Sequence, residues 1–204
     1  MGSIILENIT KKFSDKTLFN NLNIEFENGK VYLLKGESGI GKTTLLNIIV
    51  DYTKPDSGRV INEQNLKISY LFQDELLFSN LTVKENLYIK YCAVDELDGD
   101  AWEVEVEKAL ERIGLSDLID RKVAMLSGGE RQRVQIASIM LDNPDVILVD
   151  EPTSSLDQAN KNKIMTEILE IFRGKTLIII SHDLEVLPVP YIKLALQSGG
   201  IAIE

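Results

Sequence analysis

Two kinds of apolar pattern alternate along the chain. Ile4-Ile5-Leu6 and Leu22-Asn23-Ile24-Glu25-Phe26 read as half-exposed strands of an antiparallel sheet. Val31-Tyr32-Leu33-Leu34, Val146-Ile147-Leu148-Val149 and Leu177-Ile178-Ile179-Ile180 are short unbroken apolar runs. Such runs fit strands buried on both faces, as in a parallel sheet covered by helices. Helical spacing follows the first run at 43–50 and the third at 185–187; after the second it follows at 158–172, once 150–157 has passed. Between 78 and 142 no buried-strand run occurs and the pattern is helical, with Thr82 and Glu85 spaced as a capping box at one helix start. The end of the chain, 192–196 and 201–203 around Gly199-Gly200, reads as a closing hairpin. The pattern predicts an α/β sheet domain, residues 1–77 and 143–204, interrupted by an all-helical insert at 78–142.

Composition narrows this. The 204 residues suit one globular domain, and 44% hydrophobic with 26% charged residues predicts a true core. A net charge of −10 argues against nucleic acid as the main partner, because neutralising phosphates needs a basic footprint. Much of the acid lies at Asp95, Glu96, Asp98 and Asp100 and on through Glu103, Glu105 and Glu107, which reads as an acidic loop and a solvated helix face or, alternatively, as a docking surface. The one cysteine, Cys92, makes no internal disulfide and reads as a packed, inert thiol in a reducing compartment. No apolar run approaches the ~18–20 residues of a membrane span, and Met1-Gly2-Ser3-Ile4 does not open a secretory signal. These features predict a soluble, cytoplasmic protein.

The chemistry lies in three places. Gly36-Glu37-Ser38-Gly39-Ile40-Gly41-Lys42-Thr43-Thr44 fits G-x-x-x-x-G-K-[ST] between a buried strand and a helix. In that context Gly36, Ser38, Gly39 and Gly41 turn backbone N–H groups around a phosphate, and the helix start adds its positive end. Lys42 then reaches the β- and γ-phosphates and Thr43 ligates Mg²⁺. Asp150-Glu151 ends a buried strand, where α/β sheets bind ligands; Asp150 suits Mg²⁺ and Glu151 suits accepting a proton from water. Leu126-Ser127-Gly128-Gly129-Glu130-Arg131-Gln132-Arg133 opens a helix predicted from Glu130 to about Leu141. Ser127 as an ordinary N-cap explains it structurally, while the paired glycines leave the helix terminus bare enough to meet a second phosphate.

That last stretch resembles the signature motif of ABC ATPases, and further landmarks of the family follow in its order along essentially the whole chain. Phe13 matches the aromatic that stacks on adenine, Gln73 the loop glutamine between sheet core and helical insert, and Asp157 of Ser155-Leu156-Asp157 the loop after the carboxylates. His182 matches the histidine that touches the γ-phosphate. Taken singly, Phe13 reads as core, Gln73 as a strand-end amide and His182 as incidental. Ser138, Ser155 and the segment 188–191 depart from common family usage, and no regulatory domain is expected beyond the final hairpin.

The resemblance implies a P-loop NTPase core, mainly parallel with an antiparallel β edge, carrying an inserted helical subdomain. It implies an ATP hydrolase using ATP and Mg²⁺, with Glu151, His182 and Gln73 catalytic and Thr43, Gln73 and Asp150 toward the metal. Lys42, Thr43 and Thr44 of one subunit would share each ATP with Ser127, Gly128 and Gly129 of a second ATPase subunit, a homodimer or a close relative. An integral membrane permease subunit would dock near 73–81, placing the protein at the inner face of the membrane. Length, residues 73–78 and residues 126–133 look most like the branch exporting lipoproteins, macrolides and antimicrobial peptides, so export is the expected direction. The alternative is a non-transport ATPase that regulates a membrane protein mechanically. A soluble form acting on DNA or ribosomes would need long coiled coils or two ATPase domains, and the chain has neither.

Overall fold

The computed structural model describes residues 2–14, 16–74, 76–93, 102–151, 158–181, 186–197 and 199–203. They fall into two compact units: residues 1–70, 145–151 and 172–204 in the first, 71–144 and 152–171 in the second.

The first unit is built on two sheets. β1 (Ser3–Phe13) pairs antiparallel with β2 (Lys16–Glu27) and with β4 (Ser57–Asn62), giving the order β2-β1-β4. Ile4, Leu6, Ile9, Phe19, Leu22 and Phe26 point inward at 0–3% exposure, and most of their neighbours, Ser3 and Leu18 excepted, are more exposed. This is the alternation read from the sequence, but both strands run longer than the motifs suggested. The second sheet has the order β5-β6-β7-β3-β8-β9. Its strands are β3 (Val31–Lys35), β5 (Ile68–Leu71), β6 (Val146–Asp150), β7 (Thr176–Ile180), β8 (Ile192–Gln197) and β9 (Gly200–Ile203). β3, β6, β7 and β8 are parallel, and β9 returns antiparallel as the predicted hairpin. Every residue of β6 and β7 is buried, which explains their unbroken apolar runs. At ~1.5–3 kcal/mol per fully buried aliphatic side chain, these two strands are a main source of cohesion.

α1 (Lys42–Ile49) follows β3 and buries Leu45, Leu46, Ile48 and Ile49 in the same core as Phe19, Leu34, Leu148, Ile180 and Leu194. Two strands escaped the sequence reading: β4 alternates poorly and β5 spans only four residues. The helix expected at 185–187 is corrected. Val186 and Leu187 are non-helical, and Leu187 precedes Pro188, a position disfavoured for α geometry.

The second unit is helical. Its members are α2 (Val83–Cys92), α3 (Trp102–Arg112), α4 (Gly128–Asp142) and α5 (Gln158–Ile171). The Thr82–Glu85 capping box is present: Glu85 N–H donates to the Thr82 hydroxyl at 3.1 Å, and Thr82 N–H donates to the Glu85 carboxylate at 2.7 Å. Buried Asn86 exchanges bonds with the Phe78 backbone at 2.7 and 3.0 Å, fixing the entry to α2. Lys90 pairs with the buried Asp142 carboxylate at 2.9 Å, tying α2 to α4. The bounds of this unit differ from the expected 78–142 insert. It also takes in 71–77 and α5, which packs on α4. Glu103, Glu105 and Glu107 lie on the exposed face of α3, the first two paired with Lys84 and Lys108. Cys92 ends α2 and is exposed, not packed: it is Tyr91 beside it that the last turn buries.

Candidate functional site

The site of the first unit begins where β3 ends. Gly36 has φ +155° and lies so close to β8 that a Cβ there would sit 2.8 Å from the Leu196 carbonyl oxygen. No side chain fits. Gly41, at φ +114°, turns the chain into α1, and a Cβ on it would press within 3.1 Å of the Phe19 ring. The loop between them is knit by its own lysine: Lys42 Nζ donates to the Gly36 and Glu37 carbonyls at 2.9 and 3.0 Å. Lys42 is 6% exposed. Burial pushes its ammonium below the usual lysine range, and the carboxylates of Glu151 and Asp150 act in the opposite sense.

The α1 terminus fits a phosphate. Its N-cap, Gly41, offers no side-chain cap and its first turn carries no acid, whereas α2 and α4 both begin with a closed capping box. An uncapped helix start following a glycine-rich loop presents N–H donors and the positive end of the helix dipole. Thr43 is exposed and Thr44 half-buried within this first turn, while Ser38 and Gly39 lie exposed on the loop.

Strand order brings the carboxylates to the same sheet edge. Asp150 pairs in register with Ile180 of β7, and Ile180 pairs with Leu34 of β3, so the three parallel strands finish side by side. Loops leaving that edge hold ligands in α/β sheets. Asp150 is 4% exposed, and the Tyr70 hydroxyl donates to its Oδ2 at 3.1 Å. Burial, reinforced by the Asp150 charge, pushes the Tyr70 hydroxyl far above the ordinary tyrosine value. Glu151 sits at φ +44°, a left-handed conformation that costs a non-glycine residue ~1–2 kcal/mol. Its N–H donates to the Ile180 carbonyl at 3.1 Å, which holds the turn in place. The Thr43 hydroxyl and the Asp150 carboxylate offer oxygen, the ligand type that suits Mg²⁺, which keeps waters and takes its other ligands from phosphates.

Phe13 ends β1 with 50% exposure, and Lys11 Nζ lies 5.1 Å from its ring centroid. An exposed aromatic is placed for stacking, not for the core. Lys16, opposite Phe13 across the β1–β2 turn, donates from Nζ to the Gly39 carbonyl at 2.8 Å, joining that turn to the phosphate loop. The sequence reading missed Lys16 and Tyr70, since nothing local marks either residue.

The second unit holds the remaining described residues. Gln73 is exposed just beyond β5. Ser127 is the N-cap of α4, which starts at Gly128, two residues earlier than expected. The terminus is not bare. Glu130 N–H donates to the Ser127 hydroxyl at 3.3 Å, and the Glu130 carboxylate accepts from Ser127 N–H and Oγ–H at 2.7 and 2.8 Å. Those two bonds hold the Glu130 carboxyl below the usual range. Gly128 and Gly129 are half-buried, yet a Cβ at Gly129 would meet nothing within 4 Å, so the surface there is open. His182 and Asp157 lie outside the described residues, as do Ser155 and Leu156.

A phosphate loop on an uncapped helix, beside paired carboxylates at the end of a parallel sheet, defines a P-loop nucleotide-binding protein. A profile of the ABC transporter family matches residues 19–154, two thirds of the sequence, and the chain belongs to that family. The Fe(3+) ions import ATP-binding protein FbpC of Brucella abortus is 35% identical, covering 98% of this chain and 60% of its own length. The spermidine/putrescine import ATP-binding protein PotA of Spiroplasma citri is 36% identical, covering 88% of this chain and 54% of its own. The chain thus spans a little over half the length of these relatives. The ATP-binding cassette MJ0796, solved as a dimer in a post-hydrolysis state with ADP and Pi, superposes with a TM-score of 0.81 at 30% identity, covering 98% of this chain and 97% of that one.

Proposed function

We propose that this chain is the ATPase subunit of an ABC transporter, closing as a pair on two ATP molecules to drive separate membrane subunits. The observation that carries this reading is the uncapped start of α1, with Lys42 in the loop and Asp150-Glu151 at the neighbouring strand ends. Lys42 gives up its bonds to the Gly36 and Glu37 carbonyls for the β- and γ-phosphates. Phe13 stacks on the base. Glu151 accepts the proton of the attacking water, and Gln73 and His182 contact the reacting end. Mg²⁺, held by Thr43 and Asp150, would neutralise charge on the phosphates.

The second subunit contributes Ser127, Gly128 and Gly129, and Asp157 is a further nucleotide contact. A phosphate arriving there competes with the Glu130 carboxylate for the Ser127 hydroxyl proton. The dimeric form of MJ0796 with ADP and Pi supports a paired mechanism, here as a homodimer. ATP then favours the closed pair by its differential affinity, and cleavage releases it. Residues 78–142 act as the helical subdomain that docks an integral membrane permease, leaving the ATPase peripheral on the cytoplasmic side. No helix among the described residues is long and apolar enough to cross a membrane. With a net charge of −10, nucleic acid is not a partner.

The export direction read from the sequence finds no support in the relatives. FbpC and PotA are both import proteins by name, and they favour uptake as the working direction. The regulatory alternative uses the same ATPase cycle and differs only in the membrane partner. Glu151→Gln tests the shared mechanism: it keeps the size of the side chain but cannot take a proton. ATP binding should persist, hydrolysis should stop, and an ATP-dependent dimer should appear by light scattering. Adding Ser127→Arg should abolish that dimer. Hydrolysis at the parent rate would remove Glu151 from the base role.

A further inference from the structure

Asp150 is a buried carboxylate at the end of β6, and one of its two oxygens is already engaged. The Tyr70 hydroxyl donates to Oδ2 at 3.1 Å from the neighbouring strand β5. We propose that Tyr70 is a positioning residue for the Asp150 carboxylate, fixing its rotation through Oδ2 so that the other oxygen stays presented to the Mg²⁺ shell. The inference rests on the reading of Asp150 as the Mg²⁺ carboxylate.

Three features carry it. At 4% exposure Asp150 has little water to orient it, so a protein donor decides how the carboxylate lies. β6 enters Asp150 fully buried and leaves it through the left-handed turn at Glu151, so the backbone is fixed on both sides and side-chain rotation is the remaining freedom. Tyr70 is held by its own strand, and its hydroxyl reaches the carboxylate without the rotamer freedom of a long flexible donor. Lys42, whose ammonium feels the Asp150 charge, is committed to the phosphate loop carbonyls.

Tyr70→Phe removes one oxygen and keeps the ring. Loss of a donor that orients a metal carboxylate typically costs about 10- to 100-fold in metal affinity. The full-length variant should therefore need about tenfold more Mg²⁺ to tighten nucleotide binding, followed by calorimetry of ATP at increasing MgCl₂. Its affinity for ATP in EDTA should equal that of the parent, which a merely structural loss would not spare. A parental Mg²⁺ dependence in a folded Tyr70→Phe protein would overturn the proposal. A parent protein whose ATP binding ignores Mg²⁺ would overturn both this inference and the reading of Asp150 beneath it. A second measurement needs no substitution. Tyrosine carrying ¹³C at Cζ, placed at position 70 alone, should shift its resonance when Mg²⁺ joins the ATP complex. An unmoved signal would refute the coupling.

Discussion

Lys42→Met separates the two duties of the phosphate-loop lysine. Methionine fills much of the space of the aliphatic stem of this 6%-exposed residue but removes the ammonium, which is bonded to two loop carbonyls at 2.9 and 3.0 Å. In the folding balance two large terms oppose each other. Each bond from a charged donor is worth ~1.5–3 kcal/mol net, while holding an ammonium away from water costs several kcal/mol. Gly36 is half-buried and Glu37 exposed, so water can replace the lost donor. The expected change in folding stability is therefore small, ~1 kcal/mol in either direction. Nucleotide binding has no such cancellation. Truncating one partner of a buried charge pair costs ~2–5 kcal/mol, which is roughly a 30- to several-thousand-fold loss of ATP affinity. Urea denaturation gives the first quantity and calorimetric titration with Mg-ATP the second. Unchanged ATP affinity in a folded Lys42→Met protein would refute the phosphate-loop assignment. A stability loss above ~3 kcal/mol would show instead that the lysine chiefly knits the loop.

Phe13→Ala should weaken ATP and GTP alike, by ~1–3 kcal/mol, because stacking tolerates any base; a variant that binds ATP as tightly as the parent does would dismiss Phe13 as the platform. Glu130→Gln should cost ~0.5–1 kcal/mol at neutral pH, the scale of a weakened helix cap. Its carboxyl is held below the usual range by Ser127 N–H and hydroxyl, so this contribution is full above the ordinary carboxylate pKa and is lost as pH falls through the depressed folded value. Parent and variant should therefore converge in stability toward acid, as chemical denaturation across pH would show; a gap that widens there would contradict the capping geometry.

Local chemistry was written in the chain itself. The unbroken apolar runs at 31–34, 146–149 and 177–180 could satisfy their side chains only as strands covered on both faces, and all three are found so. Gly36 and Gly41 needed no tertiary information to suggest a phosphate loop, since few other uses require such residues before Lys42-Thr43. The Thr82–Glu85 box was legible for the same reason: a cap is a bond between residues three apart.

What the sequence left open were contacts between residues distant along the chain. Periodicity says that a strand is buried but not which strand lies beside it, so the order β5-β6-β7-β3 that aligns Asp150, Ile180 and Leu34 emerged only in three dimensions. The same holds for the Tyr70 hydroxyl on Asp150, 80 residues away, and for Lys16 on Gly39, 23 residues away. The start of α4 shows the opposite limit. Ser127 and Glu130 stand three apart and could have been read as a closed box, yet the paired glycines suggested a bare terminus, and the folded geometry decided for the box. Composition fixes which groups are present. Packing decides which of them have their donors and acceptors already occupied before any ligand arrives.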